Sequence, residues 1–94
     1  WRDVPVALAV DCAPGARQIE PAIRPLRPAG EQPRLFGRAV TVHVAPPDFG
    51  AMLHVLDIAG AGDVVCVDAG GDPETAMIGE ILSGHLRNGA WPVW

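Results

Sequence analysis

The sequence predicts an α/β fold, and three patterns in its second half carry that prediction. Gly37–Val44 alternates β-branched residues with others, which is typical of a strand. Phe49–Ala59 places apolar residues at helical spacing. Val64–Asp68 is a short apolar run followed by a second helical pattern. The order strand, helix, strand, helix indicates parallel strands joined by right-handed crossovers.

Bulk composition indicates one globular domain over residues 1–94. Hydrophobic residues make up 49% of the chain and charged residues 19%, a balance that argues against disorder. The net charge is −4, the sequence pI is about 5.1 and no basic stripe is present, so we expect no direct nucleic-acid binding. No apolar stretch is long enough for a bilayer, so we expect no membrane association. Cys12 and Cys66 fit no metal spacing, and we expect a reduced, cytoplasmic protein.

The first third of the chain gives weaker signals. Val4–Val10 is apolar but interrupted by Pro5, and its pattern fits a short helix or a strand equally well. Prolines further along exclude a long helix and a central strand, because proline lacks the backbone N–H. We therefore predict an extended edge segment over Ile23–Leu26.

The first strand and helix have recognisable ends. Pro46 and Pro47 end the strand, and Asp48 is a candidate cap for a helix from Phe49 or Gly50 to about Ala59. Gly60 is a natural stop for that helix.

The second strand leads into a glycine loop. Val64–Asp68 is apolar enough to be buried on both faces, which makes Cys66 a small core residue. Ala69, Gly70 and Gly71 form the loop that follows. Two glycines let the backbone approach a ligand closely, but a tight turn explains them equally well.

Gly79 divides the segment after the loop. Asp72 followed by Pro73 is typical of a helix start. Because glycine costs about 1 kcal/mol inside a helix, we expect an irregular turn up to Ile78 and the helix proper over Glu80–Asn88. Ala90–Trp94 is typical of the start of another strand.

Few polar residues are spaced in a way that indicates a metal-binding or catalytic site. The three histidines share no metal-ligand spacing and are interpreted as polar-face residues: His43, His54 and His85. Asp68 and Asp72 are more typical of turn caps than of metal ligands. By spacing alone, Glu80 is a charged residue on a helix face. The amides after Gly79 are a candidate anion site, because the first N–H groups of a helix lack internal partners.

Four blocks in order resemble the family of the regulator of ribonuclease E activity A, which includes metal-dependent 4-hydroxy-4-methyl-2-oxoglutarate aldolases. They are Val10-Asp11-Cys12, Ile23-Arg24-Pro25-Leu26, Gly37-Arg-Ala-Val-Thr-Val42, and Gly62–Gly71 followed by Ala76-x-x-Gly-Glu80. The resemblance implies a β/β/α swivelling-domain fold assembled as a trimer or hexamer. It covers most of this chain but only about the first half of a typical member.

The resemblance also implies a site between subunits that holds Mg²⁺ or another divalent metal and a small 2-oxo acid such as pyruvate or oxaloacetate. Glu80 matches the family's catalytic acid, which holds the metal through water. Gly79 and the amides of Ile81 and Leu82 match the groups that bind the pyruvate carboxylate. Gly70 and Gly71 of the glycine loop are further candidate substrate-binding residues.

The family pattern continues beyond this helix with an Arg-Asp pair, and at this point the sequence of this chain differs from the family pattern. Pro92 stands where the family has glycine, and the Arg-Asp pair would fall beyond residue 94. Two hypotheses follow. The chain is related to lyases that cleave 4-hydroxy-2-oxo acids or decarboxylate oxaloacetate, with half of the site absent. Alternatively, it is a non-catalytic regulatory or protein-binding module of the same fold.

Overall fold

The computed structural model describes residues 1–88, apart from the side chain of Arg87. These residues belong to two compact units, Trp1–Arg34 and Leu35–Trp94. The strand predicted at Ala90–Trp94 lies outside the described residues.

The first unit contains a single short helix among its described residues, α1 (Val6–Cys12). The pattern that fitted either a helix or a strand therefore forms a helix. Pro5 precedes it, and the Pro5 carbonyl accepts a hydrogen bond from the Ala9 N–H at 3.0 Å. No side chain of α1 is buried.

The edge segment predicted at Ile23–Leu26 is wrong. No strand forms between residues 13 and 34, and the Ile23 N–H instead bonds the Glu20 carbonyl at 2.9 Å in a turn. A strand needs a neighbour with which to pair, and prolines remove donors that such pairing requires.

The second unit is built on two parallel strands, β1 (Arg38–His43) and β2 (Asp63–Asp68). The register runs from Arg38 opposite Asp63 to His43 opposite Asp68. Both predicted strands and their parallel arrangement are confirmed. The carboxyl ends of the strands therefore meet at the same edge of the sheet.

Helix α2 (Gly50–Ile58) connects the strands and supplies most of the core. The N-cap residue is Phe49 and no side chain caps the helix, so the cap predicted at Asp48 is wrong. Asp48 lies one residue earlier, and its carboxylate accepts a hydrogen bond from the Gly50 N–H at 2.8 Å. Met52 and Val55 are buried against Val44, which directly follows β1. The partly buried residues that complete this core come from several elements: Val40, Val42, Ala51, Leu56, Val65, Ala69 and Met77.

Strand β2 is not buried on both faces, so that prediction is wrong. Its first half is partly buried, whereas Cys66, Val67 and Asp68 are exposed. The apolar composition of the strand sets how readily it can be buried, but burial also needs a covering layer. Among the described residues, Val40, Val42 and Val65 of the strands pack against the core, and the face that carries Cys66 stays open.

Helix α3 (Glu80–Asn88) follows an irregular segment, as predicted. The Asp72 carboxylate accepts hydrogen bonds from the N–H groups of Glu74 at 2.8 Å and Thr75 at 3.2 Å. Asp72 therefore caps a turn and not a continuous helix. No helix among residues 1–88 is long and apolar enough to cross a membrane.

Candidate functional site

The first turn of α3 carries the backbone donors that the sequence singled out. The Gly79 carbonyl accepts the first intrahelical hydrogen bond, from the Ser83 N–H at 3.0 Å. Gly79 is thus the N-cap residue, and the N–H groups of Glu80, Ile81 and Leu82 precede the helical hydrogen-bond ladder. These three N–H groups have no hydrogen-bond partner among residues 1–88. Such donors, together with the positive end of the helix dipole, favour an anion.

The side chains of this turn leave the donors accessible. Gly79 has no side chain and is exposed, as is Glu80. The Ile81 side chain is 89% exposed, so it covers little of the surrounding backbone. Leu82 is partly buried. An incoming carboxylate would therefore meet backbone amides with an acidic side chain on the same turn.

The Gly70–Gly71 loop has the backbone conformation that requires glycine. The φ angles are +65° at Gly70 and +78° at Gly71. A Cβ added at either position would meet nothing within 4 Å among the described residues. Glycine is therefore favoured here because φ is positive, and not because neighbouring atoms would clash with a side chain. The space around the loop is open.

Asp68 joins the end of β2 to this loop. One carboxylate oxygen, Oδ1, accepts a hydrogen bond from the Gly70 N–H at 2.9 Å. The other oxygen, Oδ2, accepts one from His43 Nδ1 at 3.2 Å. The Gly70 amide and then the His43 ring hold the pKa of the Asp68 carboxyl below its usual value.

An open groove of about 350 Å³ runs along the carboxyl ends of the strands. Three residues from each strand line it: Thr41, Val42, His43, Cys66, Val67 and Asp68. In open α/β sheets, ligands commonly bind outside the carboxyl ends of the strands. The groove and the glycine loop are adjacent along the chain through Asp68.

The predicted site residues lie within one stretch of the sequence, in the Gly70–Gly71 loop and at the start of α3. Among the described residues, no hydrogen bond joins the Gly70–Gly71 loop to the first turn of α3. Asp72 organises the chain between them, and the Thr75 hydroxyl and the Glu74 amide lower the pKa of its carboxyl. This agrees with its interpretation as a turn cap.

The contact between His43 and Asp68 is not predicted from the sequence. The sequence predicts separate roles for the two residues, a polar-face histidine and a turn cap. Each is the last residue of a parallel strand, and the register places them opposite each other. That position was the signal, since the last residues of neighbouring parallel strands lie side by side.

Comparison with known proteins identifies the family. Residues 6–92 match the family model described as RraA-like (Aldolase/RraA). The chain belongs to the RraA-like family. The α/β class and the arrangement of its helices with a parallel strand pair are compatible with part of the RraA-like fold.

A relative from Halalkalibacterium halodurans is named "Putative 4-hydroxy-4-methyl-2-oxoglutarate aldolase". This RraA-like chain is 33% identical to it over 87 residues. The match covers 93% of this chain and 40% of the relative, so the chain spans well under half of the relative's length. No solved structure gives a significant match to the chain.

The divalent metal implied by the family finds no complete ligand set in the described residues. Within residues 1–88, no three His, Cys, Asp or Glu side chains are grouped so that they could hold a metal ion. Glu80 would contribute only one carboxylate ligand to a metal site. Any metal held at Glu80 would need ligands in addition to the described residues of one RraA-like chain.

Proposed function

We propose that this RraA-like chain supplies the carboxylate-binding half of a lyase site that acts on small 2-oxo acids. The reactions are retro-aldol cleavage of a 4-hydroxy-2-oxo acid, which releases pyruvate, and decarboxylation of oxaloacetate. The observation that carries the proposal is that the N–H groups of Ile81 and Leu82, in the first turn of α3, have no hydrogen-bond partner in the described part of the chain. Family membership and the name of the Halalkalibacterium relative support this choice of substrate class.

The backbone donors would bind the substrate carboxylate. Hydrogen bonds to a charged group are the stronger kind, about 1.5–3 kcal/mol each. Fixing the carboxylate orients the adjacent oxo group, and orientation of the reacting group is itself a large part of catalysis. The exposed loop at Gly70 and Gly71 would let the rest of the ligand approach the backbone closely.

Glu80 would act on protons. In retro-aldol cleavage the 4-hydroxyl loses a proton as the bond between carbons 3 and 4 breaks, and the enolate of pyruvate that forms is then protonated. A carboxylate on the same turn as the anion site could accept that proton, directly or through a water molecule. Mg²⁺ or another divalent ion would stabilise the negative charge of the enolate.

Pyruvate binding tests the anion site directly. We expect pyruvate to shift the backbone amide NMR signals of Ile81 and Leu82 more than those of the first turn of α2, near Gly50. Methyl pyruvate is the matched control, because it keeps the oxo group but lacks the charged carboxylate. Equal shifts with both ligands, or no shift at α3, would contradict the proposed anion site.

Turnover is tested separately. Oxaloacetate decarboxylation is followed with Mg²⁺ and then with a chelator, with the uncatalysed rate subtracted. Metal-dependent turnover supports the lyase proposal. If pyruvate binds at α3 but no turnover occurs, the chain binds 2-oxo acids without catalysing the reaction, as the alternative of a non-catalytic module predicts.

A further inference from the structure

The Asp68 side chain anchors the glycine loop, because its carboxylate accepts a hydrogen bond from the Gly70 N–H. Two consecutive glycines at positive φ have more conformational freedom to lose than any other residue pair. A loop without an anchor would lose that freedom when a ligand binds, which lowers affinity. The Asp68 carboxylate offsets part of this cost by fixing the first glycine before a ligand arrives.

His43 holds the carboxylate in the required orientation. It lies on the neighbouring strand, opposite Asp68 in the register, and its Nδ1 bonds Oδ2 while Oδ1 remains for Gly70. The backbone adds a further link, since the Val44 N–H donates to the Asp68 carbonyl at 2.8 Å. Both side chains are about 70% exposed, so burial does not fix them and the hydrogen bonds do.

We propose that Asp68 and His43 are positioning residues that preorganise the Gly70–Gly71 loop for a small 2-oxo acid. The inference rests on the proposed function for the identity of the ligand. Neither residue needs to touch the ligand. His43 orients Asp68, Asp68 anchors Gly70, and the loop presents its backbone in one conformation.

The chain contains a matched control pair on α2. His54 and Asp57 are a second exposed histidine and aspartate, with Nδ1 and Oδ2 3.9 Å apart, and neither bonds the glycine loop. The test compares Asp68→Ala, Asp68→Asn and His43→Ala with Asp57→Ala and His54→Ala in the 94-residue chain. Two quantities are measured by NMR: the solvent-exchange rate of the Gly70 amide proton and the dissociation constant for pyruvate.

We expect Asp68→Ala to speed Gly70 exchange at least about fivefold, which corresponds to the loss of one hydrogen bond worth about 1 kcal/mol. Pyruvate affinity should fall about threefold or more. Asp68→Asn keeps an oxygen acceptor, so its Gly70 exchange rate and its pyruvate affinity should both lie closer to the parent values than those of Asp68→Ala. General destabilisation would not produce this rescue. His43→Ala should give an intermediate effect, and both α2 variants should stay within about twofold of the parent.

Unchanged Gly70 exchange in Asp68→Ala would overturn the anchor. Faster exchange with unchanged pyruvate affinity would overturn its role in binding. If the parent chain does not bind pyruvate at all while Gly70 exchange responds as expected, the proposed function is wrong and the anchor is supported. If Asp68→Ala does not fold, Asp68→Asn and His43→Ala decide the same questions.

Discussion

At the scale of single residues, Glu80 has two opposing effects on the first turn of α3. Its carboxylate lies at the positive end of the helix dipole and stabilises the helix start by about 0.3–1 kcal/mol. The same negative charge opposes a bound carboxylate, by about 1 kcal/mol at 4 Å in water. The charge of Glu80 therefore stabilises the helix start and weakens carboxylate binding, and proton transfer is the further role that we propose for it.

Exchange of Glu80 for glutamine separates the two effects. We expect Glu80→Gln to lower oxaloacetate decarboxylation at least about 100-fold, because a general base typically contributes that much or more. Pyruvate affinity should stay the same or rise, since a repulsive charge is removed. Steady-state kinetics and an NMR titration measure the two quantities. A parallel loss of turnover and binding would show that Glu80 instead maintains the structure of the turn.

Asp63 makes the stability of the sheet depend on pH. Arg38 holds it through two hydrogen bonds, at 3.0 and 2.7 Å, and the Gly60 N–H donates to it at 2.9 Å. The Arg38 side chain, followed by the Gly60 amide, lowers the pKa of Asp63 to about 2 from 3.8. Since the pKa is depressed in the folded state, the stabilisation is complete above 3.8 and is lost as the pH falls towards 2.

We therefore expect the free energy of unfolding to fall between about pH 4 and pH 2, and Asp63→Asn to reduce that fall. Urea denaturation at a series of pH values measures it. Asp57→Asn is the control, because it removes an exposed carboxylate that does not contact Arg38. An identical pH dependence in Asp63→Asn and the parent would show that other carboxylates cause the acid destabilisation.

At the scale of elements, two glycines have opposite structural roles. Gly37 precedes β1, and a Cβ added there would lie 2.1 Å from the Gly62 carbonyl oxygen. Gly62 belongs to the turn that precedes β2, with φ at +86°. Gly84 lies inside α3, and an added Cβ would meet nothing within 4 Å among the described residues.

We expect Gly37→Ala to destabilise the protein by about 1–3 kcal/mol, because backbone must move to relieve the overlap. Gly84→Ala should stabilise it by about 0.5–1 kcal/mol, since alanine loses less conformational freedom in a helix. Chemical denaturation of both variants against the parent measures the two changes. A stable Gly37→Ala protein would show that the turn at Gly62 can shift without cost.

Elements that depend on a few neighbouring residues, such as β1 and the start of α3, were predicted correctly from the sequence. The valine alternation gave β1 to within one residue at each end, and Gly79 gave the start of α3, because strand period and helix breakers act within a few residues. The burial of β2 and the edge segment at Ile23–Leu26 were predicted wrongly, because both depend on what lies beside them. The contact of His43 with Asp68 likewise required the register. The roles of Glu80, Gly79, Ile81 and Leu82 stay predictions.

At the scale of the whole molecule, few apolar side chains are buried. Within residues 35–88, the buried hydrophobic residues are Val44, Met52, Val55, Ala59 and Leu86. Large apolar side chains of the same unit remain exposed on several elements, among them Leu53, Ile58, Val67, Ile78 and Ile81. Domains of this size have little stability to spare, so exposed apolar surface favours association.

We expect the chain to associate with itself, and a trimer or hexamer is the state that the family resemblance implies. Light scattering over a range of protein concentrations should give a mass that rises to a fixed multiple of the 9.9 kDa chain. Association through apolar contact should persist at 1 M salt, where the screening length is about 3 Å, whereas charge-driven association should weaken. A mass of one chain at every concentration would contradict this prediction, and a mass that grows without limit would indicate aggregation.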